Sequence, residues 1–181
     1  MSVIWLPEHL VQETEDNFLG KIQGRSNPLL NDTGRRQCKR LHDKLVDKHY
    51  DYCYMSPLVR CVETALILIG DRVEMIPDKR LIERDLGDLE GESRDKYDIN
   101  KYWNYDINSS DLNVESIRSV IDRSKDFLDY IISKYDKDSS ILVVTHGAPY
   151  RALRLLLTKH ELKGNLFDGT VENCQYEEFK I

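Results

Sequence analysis

The stretch "ILVVTHGAPYRAL", residues 141–153, decides the fold prediction. It opens with four aliphatic residues, three of them β-branched, which is typical of a buried parallel strand. The strand ends at His146, and Gly147 begins a segment in which apolar residues recur at helical spacing. Because the carboxyl ends of parallel strands line the ligand crevice of an α/β sheet, we expect His146 at the mouth of an anion site.

Strands alternate with helices along the rest of the chain. The spacing predicts further strands at 3–6, 52–55, 73–76 and near 174–179, and helices over 31–48, 57–69 and 117–132. Thr33 and Ser56 are the expected N-caps of the first two helices. This alternation predicts an α/β fold, a three-layer α/β/α sandwich with a mostly parallel central sheet, formed by residues 1–181 as one domain.

Composition narrows the classes of function. The net charge of −6 argues against general binding to nucleic acid or to anionic membranes. The first residues resemble neither a signal peptide nor a membrane span, and the four cysteines match no metal-binding or redox spacing. We therefore expect a cytoplasmic protein that needs no metal or cofactor, and we leave homodimerisation open.

Three residues supply complementary chemistry at the predicted loops. Arg60 lies near the start of the helix that follows "YMSP", where its planar guanidinium can bind two oxygens of an anion. Glu83 precedes a glycine-punctuated loop and is a candidate proton donor. Together with the imidazole of His146, these groups suit phosphoryl transfer on a small phosphorylated molecule.

Four segments, in order, resemble the histidine phosphatase superfamily, the phosphoglycerate-mutase-like enzymes. They are "ETEDNFLGKIQGRSNPLLNDTGRRQ", "YMSPLVRCVETA", "LIERDLGDLEG" and "VVTHGAPYRAL", and the resemblance runs from about residue 4 to residue 156. It implies phosphomonoester hydrolysis through a phosphohistidine, with the nucleophilic histidine at the end of the first strand. Carried over by motif, it gives roles to a proton donor (Glu83), phosphate ligands (Asn17, Arg60, His146, Gly147) and a pocket rim (Gln23, Gly24).

The first motif departs from the family pattern of R-H-G followed by E-T or Q-T. Counting back from Glu13 without a gap puts Leu10, Val11 and Gln12 in its place, and no nucleophile remains. Counting forward from the strand puts His9 at the nucleophile's position, with a two-residue insertion before Glu13. We prefer the second register because it leaves Pro7 at the end of the strand, where a missing amide is harmless.

Glu8 then stands where the family has arginine. A carboxylate about 5 Å from a phosphate repels it by roughly 3 kcal/mol per unit charge at an effective dielectric near 20. Arg25, Arg35 and Arg151 are candidates to compensate.

Two functions remain open on the sequence. One is a phosphomonoesterase with His9 as nucleophile, and the other is an impaired or inactive pseudophosphatase that acts as a binding or scaffolding module. In either case, the tyrosine-rich residues 92–113 are expected to cap the pocket and to contact the substrate's leaving group. We call residues 92–113 the cap segment.

Overall fold

The computed structural model describes residues 1–7, 13–167 and 177–181. Five strands in this part of the chain form one sheet: β1 Ser2–Pro7, β2 Tyr52–Met55, β3 Met75–Pro77, β4 Ser140–Thr145 and β5 Glu177–Lys180. Their order is β3-β2-β4-β1-β5. The pairs β3–β2, β2–β4 and β4–β1 are parallel, and β5 is antiparallel to β1.

The helices follow the predicted alternation. They are α1 Glu15–Phe18, α2 Asp32–Leu45, α3 Val59–Ile69, α4 Ile99–Tyr102, α5 Ile117–Lys134 and α6 Gly147–Leu157. Short 3-10 turns lie at Lys79–Leu81, Gly87–Leu89, Arg94–Lys96 and Asp111–Asn113. Among the described helices, none combines the length and apolar character that a membrane crossing requires.

The burial of strand β4 on both faces accounts for the three layers of the fold. Its residues 141–144 are fully buried, and successive side chains of a strand point to opposite faces of the sheet. Leu142 and Val144 pack in the cluster formed with α2 and α3. Ile141 and Val143 pack in the cluster formed with α5 and α6. Both faces of β4 are therefore apolar, which produces the continuous run in the sequence, and the predicted α/β/α sandwich is confirmed.

Several predicted boundaries were wrong by a few residues. Helix α2 is capped by Asn31, whose side chain accepts a hydrogen bond from the Gly34 amide at 2.8 Å, so Thr33 lies inside the helix. Helix α3 begins at Val59 with Leu58 as its N-cap, whereas Ser56 was the predicted N-cap and residue 57 the predicted start. The third strand begins at Met75, and of the predicted last strand only the part from residue 177 onward lies among the described residues.

Candidate active site

The site lies where three parallel strands end. In the register of the sheet, Pro7 of β1 pairs with Thr145 of β4, and Met55 of β2 pairs with Val144. The residues that follow these strands therefore emerge at one edge. Ser56 and His146 are the first residues beyond β2 and β4. His9, together with residues 8, 10, 11 and 12 of the altered first motif, lies outside the described residues.

His146 is wholly buried at the start of α6. Its Nδ1 lies 3.3 Å from Nη2 of Arg60, and its Nε2 lies 2.6 Å from Oγ of Ser56. Because a guanidinium can only donate, Nδ1 accepts, and we assign the ring proton to Nε2, which donates to Ser56. Burial lowers the pKa of His146 to about 3, so the ring is neutral at neutral pH.

Arg60 brings a buried positive charge to the same place. It lies in the first turn of α3, and its guanidinium donates to the carbonyl oxygens of Ser26 at 2.6 Å and of Gly24 at 3.1 Å. Burial lowers the pKa of Arg60, and nearby Glu83 and Glu90 are among the groups that oppose this effect. An arginine remains charged in proteins. The site therefore contains a positive charge that is shielded from water.

Glu83 lies against the first turn of α6. Its Oε2 accepts from the Gly147 amide at 3.1 Å, and its Oε1 accepts from the amides of Ala148 at 3.2 Å and Arg84 at 2.8 Å. The Gly147 amide, predicted to contact phosphate, is thus hydrogen-bonded to this carboxylate. The predicted proton donor and the predicted anion site are in direct contact.

The predicted rim residues lie on one loop. Gln23 donates to Oγ1 of Thr14, and Thr14 also accepts from the Asn17 amide. Oδ1 of Asn17 accepts from Arg94 at 3.1 Å. Gly24 has a φ of +55°, a conformation that favours glycine. Helix α1 is thereby joined to this loop through its N-cap Thr14 and to the cap segment through Asn17.

A cavity of about 270 Å³ brings most of these residues together. The cap segment supplies part of its wall, and backbone hydrogen bonds join residues 20–22 to residues 91–94 beside it. His146 is not among the described residues that line the cavity, although it contacts Arg60, which does. The lining residues are Asn17, Lys21, Ile22, Gln23, Gly24, Arg60, Glu83, Arg84, Leu86, Arg94, Tyr97, Ile99, Trp103, Gly147, Ala148, Arg151 and Phe167.

Comparison with known proteins decides the family. The model of the histidine phosphatase superfamily (branch 1) matches residues 13–181. The chain belongs to this superfamily. The family match starts immediately after the segment that holds the altered first motif.

The curated relatives of this chain within the superfamily carry different enzyme names. It is 34% identical over 151 residues to phosphoglycerate mutase-like protein 4 of Arabidopsis thaliana, covering 78% of this chain and 65% of that protein. It is also 34% identical over 148 residues to phosphoserine phosphatase 1 of Hydrogenobacter thermophilus, covering 78% and 70%. The chain therefore spans about two thirds of the length of these relatives.

Solved structures agree on the fold of the family. YhfR of Bacillus stearothermophilus superposes with a TM-score of 0.84 at 23% identity, covering 98% of this chain and 89% of that one. A phosphoglycerate mutase of Bacillus anthracis gives a TM-score of 0.79 at 21% identity, covering 98% and 86%. The predicted phosphoglycerate-mutase-like architecture is confirmed.

Sequence reasoning missed part of this histidine phosphatase cavity. Of the arginines expected to compensate for Glu8, Arg151 lines the cavity, whereas Arg25 pairs with Asp85 and Glu115 and Arg35 pairs with Glu63. Arg84 and Lys21 were not singled out. The only signal for Arg84 was its position next to Glu83, and hydrophobic periodicity carries no information about such a residue.

Proposed function

We propose that this chain hydrolyses phosphomonoesters in two phosphoryl transfers, with His9 as the nucleophile. The observation that carries the proposal is the convergence of Arg60, Glu83 and the start of α6 on one cavity at the carboxyl edge of the sheet. Catalysis of phosphoryl transfer depends mainly on positioning and on stabilisation of charge on the equatorial oxygens. The buried guanidinium of Arg60 serves that purpose, and the first amides of α6 hold the Glu83 carboxylate at the same cavity.

The position of His9 in the chain, soon after the end of β1, supports its role as the nucleophile. Strand β1 extends to Pro7, opposite Thr145 of β4, so His9 lies two residues beyond β1. Two residues span at most about 7 Å. In the other register, Val11 takes the nucleophile's position and offers no nucleophilic atom.

In the first step, a nitrogen of His9 attacks phosphorus and the bond to the leaving oxygen breaks. Glu83 gives its proton to that oxygen, so that an alcohol leaves. In the second step, water attacks the phosphohistidine, the phosphorus–nitrogen bond breaks, and Glu83 takes the proton from water. Arg60 stabilises the charge on phosphate in both steps, while neutral His146 accepts a hydrogen bond from Arg60 and thereby orients it.

The test is hydrolysis of p-nitrophenyl phosphate from acid to neutral pH by the wild type and by His9→Ala. We expect the variant to lose at least about a thousandfold in kcat, because the nucleophile is gone. The exposed residue His160 gives the matched control His160→Ala, which should keep wild-type rates. Labelled phosphate that becomes bound to the wild type, in an acid-labile and base-stable form, should be absent from His9→Ala.

Undiminished hydrolysis by His9→Ala would show that another group is the nucleophile. Binding of phosphate without any hydrolysis by the wild type would instead support the alternative function, a pseudophosphatase that acts as a binding module.

A further inference from the structure

Glu83, the proposed proton donor, lies in a segment without regular secondary structure. Residues 83–86 separate the 3-10 turn Lys79–Leu81 from the next one, Gly87–Leu89. Because no helix or strand ladder fixes the backbone of this segment, the position of the Glu83 carboxylate depends on hydrogen bonds from other parts of the chain. Many of those bonds come from Glu115 or from a side chain that Glu115 binds.

Glu115 precedes α5, and both of its backbone groups bind the segment 83–86. Its amide donates to the carbonyl oxygen of Asp85 at 2.9 Å, and its carbonyl oxygen accepts from Nε of Arg84 at 2.7 Å. Its side-chain Oε2 also accepts from the amide of Asp85, at 3.3 Å. Three hydrogen bonds therefore join Glu115 to the two residues that directly follow Glu83.

Arg25 extends the contact to Glu83 itself. Its Nη2 lies 3.1 Å from Oε2 of Glu115, and its Nη1 lies 3.2 Å from Oδ2 of Asp85. Its Nε donates to the carbonyl oxygen of Glu83 at 3.1 Å. The donors of a guanidinium form a rigid planar fork, so binding of Nη2 by Glu115 also sets the direction of Nε. Glu115 is thus connected to the backbone of Glu83 through one side chain.

The carboxylate of Glu115 is buried and ionised. Its side chain is 11% exposed, and it is bound by Nε of Arg123 at 2.9 Å and by the hydroxyl of Ser119 at 3.0 Å. Burial opposes ionisation, but hydrogen bonds from Arg123 outweigh this effect and lower the pKa of Glu115. Loss of this charge would weaken the contacts to both Arg25 and Arg123.

We propose that Glu115 is a positioning residue that holds the Glu83 carboxylate against the amides of Gly147 and Ala148, from where it protonates the leaving oxygen. The inference rests on the proposed function. Glu115 is not among the described residues that line the cavity, whereas Glu83, Gly147 and Ala148 are. It therefore acts through Arg25 and the neighbouring backbone, without contact to the substrate.

Two esters of similar size separate proton transfer from the rest of the reaction. The p-nitrophenolate ion leaves without a proton, whereas the alkoxide of benzyl phosphate is a strong base that needs one. The quantity to compare is kcat/KM, because it reports the first transfer, in which Glu83 acts as the acid. In Glu115→Gln we expect kcat/KM to fall by on the order of tenfold for benzyl phosphate and by no more than about threefold for p-nitrophenyl phosphate.

Arg25→Gln tests the same connection from the other end. The side chain of Arg25 is 35% exposed, so this variant should fold even if Glu115→Gln does not. It should change the ratio of the two kcat/KM values in the same direction. The double variant should add little to the larger of the two single effects, because both residues act on Glu83 as one unit.

Glu63→Gln is the matched control. Glu63 also binds a guanidinium, that of Arg35 at 2.6 Å, and a backbone amide, that of Leu30 at 3.2 Å. Its partners lie in and just before α2, not in the segment 83–86. Loss of this carboxylate should leave the ratio of the two kcat/KM values as in the wild type.

Hydrogen exchange of single amides measures the position of Glu83 without any reaction. The amides of Gly147 and Ala148 donate to its carboxylate, so both should exchange at least about tenfold faster in Glu115→Gln than in the wild type. The amide of Leu142, inside β4, should keep its wild-type rate. Equal acceleration at Leu142 would mean that Glu115 only stabilises the fold, and it would overturn the inference.

These two readouts keep the inference separate from the proposed function. Failure of the wild type to hydrolyse either ester would refute the proposed function, and exchange at Gly147 and Ala148 would then decide by itself whether Glu115 holds Glu83. If the wild type hydrolyses the esters, an unchanged ratio of kcat/KM values in Glu115→Gln and Arg25→Gln overturns the inference. Unchanged exchange at the two amides overturns it in either case.

Discussion

At the scale of single residues, His146 shows how burial sets a protonation state. Its ring is enclosed by Ser56, Arg60 and Cys61, with Sγ of Cys61 3.4 Å from Nε2. Burial of the ring away from water disfavours the imidazolium form. The residue predicted as a pocket histidine is therefore neutral and tightly packed.

This burial predicts a pH dependence of stability. The pKa of His146 is about 3 in the folded protein and about 6.5 in the unfolded chain. Below about pH 6.5 the unfolded state takes up a proton that the folded state does not, so stability present above that pH is lost as the pH falls. We expect a contribution of up to about 1.4 kcal/mol per pH unit between about pH 6 and pH 4.

Urea unfolding from pH 7.5 to pH 4.5 measures the effect. His146→Asn should show a shallower loss of unfolding free energy than the wild type. The control His160→Asn removes an exposed histidine and should retain the wild-type slope. Equal slopes for wild type and His146→Asn would contradict the assignment of a buried neutral ring.

At the scale of elements, the loop over residues 20–26 binds two side chains, those of Arg60 in α3 and of Glu90. Its carbonyls at Gly24 and Ser26 hold Arg60, and the Glu90 carboxylate accepts the amides of Arg25 at 2.7 Å and of Ser26 at 3.1 Å. A Cβ atom on Gly24 would clash with the Glu90 side chain. The loop therefore needs glycine for space as well as for its positive φ.

Two glycines of this loop form a matched pair. Gly20 also has a positive φ, +67°, but a Cβ there would meet open space. Gly20→Ala should cost about 1–2 kcal/mol of unfolding free energy from backbone strain alone. Gly24→Ala should cost more, about 2–4 kcal/mol, and should weaken inhibition by phosphate because Glu90 and the carbonyls around Arg60 must shift. Chemical denaturation and phosphate inhibition constants would check both values, and equal costs would refute the role of Glu90.

At the scale of the whole molecule, charge is distributed unevenly. The chain has a net charge of −6, yet the described residues that line the cavity include five basic side chains and one acidic one. The basic residues are Lys21, Arg60, Arg84, Arg94 and Arg151. A basic pocket in a chain of negative net charge favours the entry of a small anion.

The cap segment forms part of the wall of this pocket. It contributes Arg94, Tyr97, Ile99 and Trp103 to the cavity, whereas Tyr102 packs in a separate small core with Ile22 and Leu89.

We predict that phosphate or vanadate protects the cap segment from trypsin, with slower cleavage after Lys96 and Lys101, because a bound anion would join the cap segment to α3 and α6. Lys137 lies in an exposed turn before β4, at the opposite edge of the sheet, and its cleavage should not change. Unchanged cleavage after Lys96 and Lys101 would argue against a capping role.

The sequence by itself determined the alternation of elements. Residues 141–144 form a strand because both faces of β4 are buried, and the apolar spacing that predicted α5 and α6 follows from packing on one side of the sheet. It also supplied the chemistry of Arg60, Glu83 and His146. Their roles in catalysis stay predictions, and so does that of His9.

The tertiary structure alone decided which groups touch. Glu83 reaches the amides of Gly147 and Ala148 from more than 60 positions away, and the guanidinium carbons of Arg84 and Arg151 each lie 5.8 Å from the ring centroid of Trp103. Helix and strand patterns depend on neighbours within a few residues, so a short stretch of sequence is enough to predict them. Contacts between distant loops depend on sheet register and on the packing of side chains, which no local pattern of this chain records.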